Sequence, residues 1–314
     1  QQNYGFIKTG NPDSLLILSG DHVYGMDYSA MVRFHEDNHA DLTMATITVS
    51  MEEASRFGIV GVDANNRVKA FVEKPSNPPS NLANMGVYIF KREILDQALW
   101  EDHLSKESSH DFGKDILPSL VANGAKVFAF PYNGYWVDVG TVNSYWQAHM
   151  DLLQSPPPLD LYDRNWVIHT RTEERPPVKI QHGATVEDSF ICDGCIIEQG
   201  AKVTHSFLSP GVHIHSGAVI NESIVLTDTD IREKALITRS IIDKRAIIGE
   251  EAQVGEKTTD DLRIAMVGKK AVIPTNGVIR RGAMVFPDVI PSDFPTSVVG
   301  VGEYIQTRRL PNEI

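Results

Sequence analysis

From about Lys179 onward the chain repeats at six residues. Val219, Val225, Ile231 and Ile237 are spaced by six, as are Leu236, Ile242, Ile248 and Val254. Gly194 and Gly200, Gly211 and Gly217, and Gly249 and Gly255 keep the same interval. A six-residue apolar period with small residues at the corners is the signature of a hexapeptide β-helix. Each apolar side chain points into a narrow prism, and a coil buries its core only against its neighbours. A β-sandwich would instead show alternating strands. Thr258 to Gly277 breaks the period and is expected to be a looped insertion.

Residues 1–153 have a different texture, alternating strand-like and helix-like segments. Leu15–Leu18 reads as a strand, and Asp27 as the N-cap of the helix that follows. Asp41–Ser50, rich in Thr, Ile and Val, is a second strand. Phe57–Val62 and Val68–Glu73 flank the turn Asp63-Ala64-Asn65-Asn66, a hairpin signature. Asn84–Phe90 and Val127–Phe130 are further strands. Helices are expected from Arg92 to about Trp100, from Asp111 to Val121 and from Thr141 to Leu153. Such alternation implies a layered α/β domain. Pro156-Pro157-Pro158 cannot continue a helix and stiffens a linker. The expected organisation is an α/β domain over 1–153, a linker over 154–178 and a β-helix over 179–314. The chain opens on Gln1 and enters almost directly into the Leu15 strand, so an N-terminally incomplete α/β domain is expected.

The net charge of −12 argues against a general nucleic-acid surface. No apolar run is long enough to span a membrane, and the N-terminus lacks the features of a signal peptide. There are two cysteines, Cys192 and Cys195, in Cys-Asp-Gly-Cys. Without a second pair or a nearby histidine cluster, this spacing is not read as a zinc or redox motif. Low cysteine usage suits a reducing cytoplasm.

Two aspartates each stand just past a short apolar run: Asp21 after Leu15–Leu18, and Asp138 in Gly134-Tyr135-Trp136-Val137-Asp138. Ligands collect beyond the carboxyl ends of strands in an open parallel sheet. Two carboxylates delivered there can hold one Mg²⁺ against a phosphate. Either alone reads equally as a helix cap or turn residue. Lys74 ends a strand in Phe71-Val72-Glu73-Lys74-Pro75, where it could meet a sugar phosphate or simply be solvated. Gly86 lies inside a strand, which marks either close approach of a ligand or backbone, or a bulge. Asp111 stands at a helix start, and His22 could touch phosphate, though local packing or hydrogen bonding is the expectation.

SGDHVYGMDY, RFGIVGVD, FVEKP, NMGVYIF, DFGKDILP and YWVDVGTVNSYWQAHMDLL occur in this order, followed by the hexapeptide repeats. Together they resemble the ADP-glucose pyrophosphorylases (glucose-1-phosphate adenylyltransferases) of bacterial glycogen synthesis. FVEKP recurs across sugar nucleotidyltransferases, whereas SGDH with YGMDY and YW-x-DVGT-x-x-x-YW are narrower. The resemblance implies a Rossmann-like α/β nucleotidyltransferase domain with a mixed sheet, then a left-handed parallel β-helix serving regulation and assembly. It implies ATP and glucose 1-phosphate as substrates, Mg²⁺ as cofactor, a phosphorylated metabolite as effector, and a homotetramer. By that resemblance Asp21 and Asp138 hold the metal, and Lys74 binds the sugar phosphate. Glu73, Asn84, Gly86, Tyr88 and Asp111 line the sugar pocket, and Arg308, beside Thr307, belongs to the effector site.

Two departures stand out. Asn84 replaces the family's usual serine, and the N-terminal glycine-rich phosphate loop is absent from these residues. Residues 1–314 alone are therefore expected to show negligible adenylyl transfer, with the α/β half less stable than the β-helix. Other readings are a nucleotidyltransferase of different specificity, for instance GTP with mannose 1-phosphate, and a non-catalytic regulatory subunit. The presence of Asp21, Asp138 and Lys74 speaks against the second. A hexapeptide acyltransferase is disfavoured by the α/β half and by the lack of an obvious catalytic histidine in the coils.

Overall fold

The computed structural model describes residues 3–170, 173–258 and 261–309. The chain divides into two compact units, Gln1–Trp136 and Val137–Ile314.

In the first unit a short helix α1 (Tyr4–Lys8) leads into strands β1 (Ser14–Ile17) and β2 (His22–Tyr24). Helix α2 (Tyr28–Asp37) starts where the Asp27 side chain accepts the Ser29 N–H at 2.9 Å. It buries Met31 and His35. Strand β3 (Leu42–Thr48), helix α3 (Met51–Ala54), the hairpin β4 (Gly58–Val62) and β5 (Val68–Glu73), and the long β6 (Leu82–Lys91) follow. Helix α4 (Arg92–Leu104), a π-turn at Phe112–Ile116, helix α5 (Leu117–Ala122) and strand β7 (Val127–Pro131) complete it.

The sheet order is β5-β4-β6-β3-β7, with β1 also pairing β6. Only β3 and β7 run parallel among these pairs, so the sheet is mixed. Leu42, Met44 and Phe90 pack with Leu95 and Leu117 on one face, while Ala45, Val87 and Ile89 pack with Met31 on the other. Successive residues of β3 and β6 are therefore buried whichever face they point to, Thr43 and Thr46 included.

Strand β8 (Trp136–Asp138) crosses into the second unit and leads to helix α6 (Val142–Leu152). Thr141 and Ser144 form a reciprocal capping box at its start. The Trp146 Nε1–H donates to the Glu222 carbonyl at 2.7 Å, and the His149 ring meets the Phe207 edge-on at 5.0 Å. These contacts pack α6 against the coils.

The coils form three parallel ladders, as the hexapeptide pattern predicts. The repeat itself is not uniform. Leu208, Ile214, Ile220, Val225, Ile231, Ile237 and Ile242 are all buried, in steps of six, six and five. One coil is therefore seventeen residues long: Phe207 pairs with Ile224, and Ile224 with Ile241. A strict six-residue count slips by one residue per coil. That slip puts Leu236 outside the core, where it is 44% exposed.

The expected insertion at 258–277 is corrected in the same way. Ala265–Val267 and Val272–Ile273 rejoin the ladders beside Ser240–Ile242 and Ile247–Ile248. The excursion is confined between Val254 and Ala265, so Ile242 pairs with Val267, 25 residues on. Arg263 and Arg281 ion-pair with Asp261 and hold its carboxyl well below the usual range. Cys195 is buried in the β-helix core and Cys192 is exposed, and both thiols are free. Desolvation is the main cause that raises the pKa of both, which disfavours the thiolate.

One corner carries a column of serines: Ser189, Ser206, Ser223 and Ser240. Each hydroxyl donates to a carbonyl two residues back in its own coil. The hydroxyls of Ser189, Ser206 and Ser223 each accept the N–H of the next serine in the column, at 3.0–3.1 Å. Ser206, Ser223 and Ser240 are fully buried, so these bonds satisfy polar groups that water cannot reach.

Candidate active site

Asp21 follows β1 in an exposed loop. The Ser19 hydroxyl donates to its Oδ1 at 2.6 Å. That bond, helped by the charge of His22 and opposed by slight burial, lowers the carboxyl pKa. Asp21 is therefore an ionised, accessible oxygen donor. His22 Nε2 lies 3.7 Å from it. The other ring nitrogen, Nδ1, is 2.8 Å from the Met85 carbonyl and must carry the proton there, since a carbonyl only accepts. The ring also meets Trp136 edge-on at 5.1 Å. His22 does pack and hydrogen-bond, but with partners distant in sequence rather than local ones.

Gly86 lies in a bulge, and the groups it approaches are side chains rather than backbone. Met44 pairs with Tyr88 but Thr46 with Asn84, so three residues of β6 bulge out opposite Ala45. Gly86 takes φ +69°, a conformation that side chains disfavour. A Cβ there would lie 3.1 Å from the His22 ring and 3.3 Å from Ser19 Cβ. The bulge thus lets β6 approach Ser19 and His22, on either side of Gly20-Asp21. It also turns Asn84, whose Oδ1 accepts the Gly86 N–H at 3.2 Å and whose Nδ2 donates to Tyr88 Oη at 2.6 Å.

Tyr88 stacks on Phe112 with ring centroids 6.2 Å apart. Burial is the main cause that raises its pKa to about 12, and the nearby charges of Glu73 and Asp111 act in the same direction. Glu73, at the end of β5, sits between two glycines. A Cβ at Gly58 would come within 2.8 Å of its Oε2, and one at Gly113 within 2.6 Å. Burial lifts the Glu73 pKa above the ordinary range, partly countered by Lys74 and reinforced by Asp111. Lys74 Nζ is 3.9 Å from Glu73 Oε1, and its side chain is two-thirds exposed. Asp111 caps the π-turn through the Lys114 N–H at 2.9 Å. Glu73, Lys74, Asn84, Tyr88 and Asp111 thus gather at one edge of the first unit: two carboxylates, a cation, an amide and a phenol. That set suits polyhydroxylated, phosphorylated ligands.

Asp138 ends β8 and accepts the Gly140 N–H at 2.8 Å on Oδ1. Arg308 is exposed near the C-terminus. Its neighbour Arg309 is tied down, with Nε donating to the Thr307 hydroxyl at 3.2 Å and Nη2 to the Asp288 carbonyl. Sequence reasoning missed Ser19, Gly58, Gly113 and Phe112. RFGIVGVD and DFGKD contain both glycines, but only the fold shows that they flank one carboxylate.

Residues 2–155 match the nucleotidyl transferase family model, and residues 176–279 that of the GlmU-like C-terminal hexapeptide. A glucose-1-phosphate adenylyltransferase of Pseudothermotoga lettingae is 43% identical over 311 residues, spanning 97% of this chain and 74% of that protein. One of Thermomicrobium roseum is 47% identical over 301 residues, spanning 93% and 70%. One of Acetivibrio thermocellus is 40% identical over 310 residues, spanning 94% and 71%. With two matched domain models and this identity over nearly all of its length, the chain belongs to the glucose-1-phosphate adenylyltransferase family of nucleotidyltransferases.

Proposed function

We propose that the chain transfers the adenylyl group of ATP to α-glucose 1-phosphate, giving ADP-glucose and pyrophosphate for α-glucan synthesis. The observation that carries this reading is the cluster of Glu73, Lys74, Asn84, Tyr88 and Asp111, in a chain of this family. A phosphate oxygen of the sugar attacks the α-phosphorus in line, and the bond to pyrophosphate breaks. No covalent enzyme intermediate is needed, so the protein's task is positioning and charge stabilisation.

Glu73 and Asp111 accept sugar hydroxyls, while Asn84 and Tyr88 fix the sugar's face. Gly86 keeps the approach open. Lys74 offsets the repulsion between two phosphates. At an effective dielectric near 20, a unit-charge pair about 4 Å apart is worth roughly 4 kcal/mol. Solvent screening of so exposed a lysine reduces that value.

Asp21 and Asp138 offer the hard oxygen donors that Mg²⁺ prefers, and the accessible, ionised state of Asp21 fits that use. Bound Mg²⁺ would neutralise nucleotide phosphate charge. Exposed Arg308 fits a phosphorylated effector, the β-helix a homotetrameric assembly, and the reaction a cytoplasmic setting. Among the described residues no helix is long and apolar enough to cross a membrane.

Mg²⁺-dependent formation of ADP-glucose, assayed with the longest form encoded, tests the reaction. Lys74→Ala tests the site. Losing a charged hydrogen bond should weaken glucose 1-phosphate binding about 10- to 100-fold, with ATP binding nearly unchanged. Equal losses for both ligands would place Lys74 on the nucleotide or in the scaffold instead.

A further inference from the structure

One outer face of the β-helix carries a histidine–carboxylate group that the proposed reaction does not use. His213 and His215 flank the buried Ile214, so both rings project outward, stacked with centroids 4.0 Å apart. The seventeen-residue coil brings Glu198 alongside from the preceding coil and Asp230 from the following one. Nothing in the linear sequence marks these residues as neighbours.

Glu198 Oε1 is 2.8 Å from His213 Nε2 and 3.7 Å from His215 Nδ1. Glu233 Oε1 is also 3.7 Å from His215 Nδ1. One ligand atom each from Glu198, His213 and His215 lie within 4.8 Å of one another. Metal–ligand bonds of about 2.0–2.1 Å, opened at a tetrahedral angle, place neighbouring ligand atoms roughly 3.3 Å apart. The two measured separations from Glu198 bracket that value.

The surroundings resemble the supporting shell of a metal site. The second oxygen of Glu198 accepts both the N–H and the hydroxyl of Ser216 at 3.1 Å, which fixes the carboxylate. His215 turns its other nitrogen, Nε2, to within 2.9 Å of Asp230 Oδ1. Arg232 in turn holds Asp230 Oδ2 at 3.2 Å. A carboxylate behind a ligating histidine fixes the tautomer and the ring direction. Although close, His215 Nε2 and Asp230 Oδ1 are not aligned as a hydrogen bond, and both atoms are buried without another partner.

We propose that Glu198, His213 and His215 bind a divalent transition-metal cation of the Zn²⁺ class, with a fourth position left open and Asp230 positioning His215. Imidazole ligands favour Zn²⁺ over Mg²⁺, which prefers oxygen. This site is therefore chemically distinct from the Asp21 and Asp138 carboxylates. Its ligands come from two successive coils and Asp230 from a third, so the bound ion would tie neighbouring coils together.

The test is calorimetric titration of chelator-treated protein with Zn²⁺, in excess Mg²⁺ near neutral pH. One saturating equivalent of Zn²⁺ is expected, lost in His213→Ala and in His215→Ala. Asp230→Asn should weaken binding about 10- to 100-fold without changing the stoichiometry. Zn²⁺ should also raise the melting temperature of the chain but not that of His213→Ala. His213 is a third exposed, and His213→Gln serves as the folded control if either alanine variant loses its circular dichroism. Absence of saturable Zn²⁺ binding, or binding that survives both histidine variants, would overturn the proposal.

Discussion

Gly113→Ala should disable the sugar side of the site while leaving the fold intact. A Cβ at this position would sit 2.6 Å from Glu73 Oε2 and 2.9 Å from its Cδ. Ordinary contact begins near 3.4 Å, so the carboxylate must retreat by roughly 0.8 Å. The carboxylate yields rather than the backbone, because it is the free end of a flexible side chain. A hydrogen bond of about 2.8 Å lengthened by that amount is no longer a hydrogen bond. A bond to a charged acceptor contributes about 1.5–3 kcal/mol, so glucose 1-phosphate should bind about 10- to 150-fold more weakly. Stability should hold or rise slightly, since Gly113 lies in a helical turn without positive φ and alanine is the better helix former. Calorimetric titration with glucose 1-phosphate and a thermal melt measure the two effects. In a Glu73→Gln background the same substitution should cost far less. Unchanged affinity in a folded Gly113→Ala variant, or an undiminished loss on top of Glu73→Gln, would refute the placement of Glu73 against the sugar.

Asp138→Asn should lower kcat for ADP-glucose formation by orders of magnitude at saturating Mg²⁺ with the melting temperature little changed; near-normal turnover would remove it from the metal site. Arg308→Ala should blunt activation by a sugar phosphate without altering unactivated turnover, and an unchanged activation curve would exclude it from an effector site. Burial raises the Glu73 pKa, so the folded chain binds this proton more tightly than the unfolded one, and stability falls as pH rises through the ordinary carboxylate range and above it. Melts of Glu73→Gln across that range should show a shallower decline than the parent; identical slopes would contradict the assignment.

Much of the α/β unit was legible because its signals are local. The Asp63 turn between two β-branched runs specifies the β4–β5 hairpin, and Asp27 and Thr141 mark helix starts by their side-chain chemistry. What remained hidden depends on registers between distant segments. Gly86 could be read as a bulge or as a close approach. Only the shifted pairing of β3 and β6 shows that the bulge itself creates the approach to His22. The β-helix was legible as a fold but not in its coil length. A window of four repeats cannot separate a uniform six from a six-six-five pattern, yet the difference moves Leu236 to the outside and narrows the insertion to one excursion. The grouping of Glu198 with His213 and His215 depends on that coil length too.

The serine column gives the stack a direction. Each hydroxyl secures its own coil by donation and lends its lone pair to the amide one coil later, so obligation passes only toward the C-terminus. Removing the hydroxyl of Ser223 would strand the buried N–H of Ser240, a cost borne by a coil that was not altered. Beyond Ser240 the same ladder position holds Ala265, and the relay stops where the excursion enters. Coils within the relay thus share a common socket, and Ala265 joins the stack at the point where that socket is no longer used.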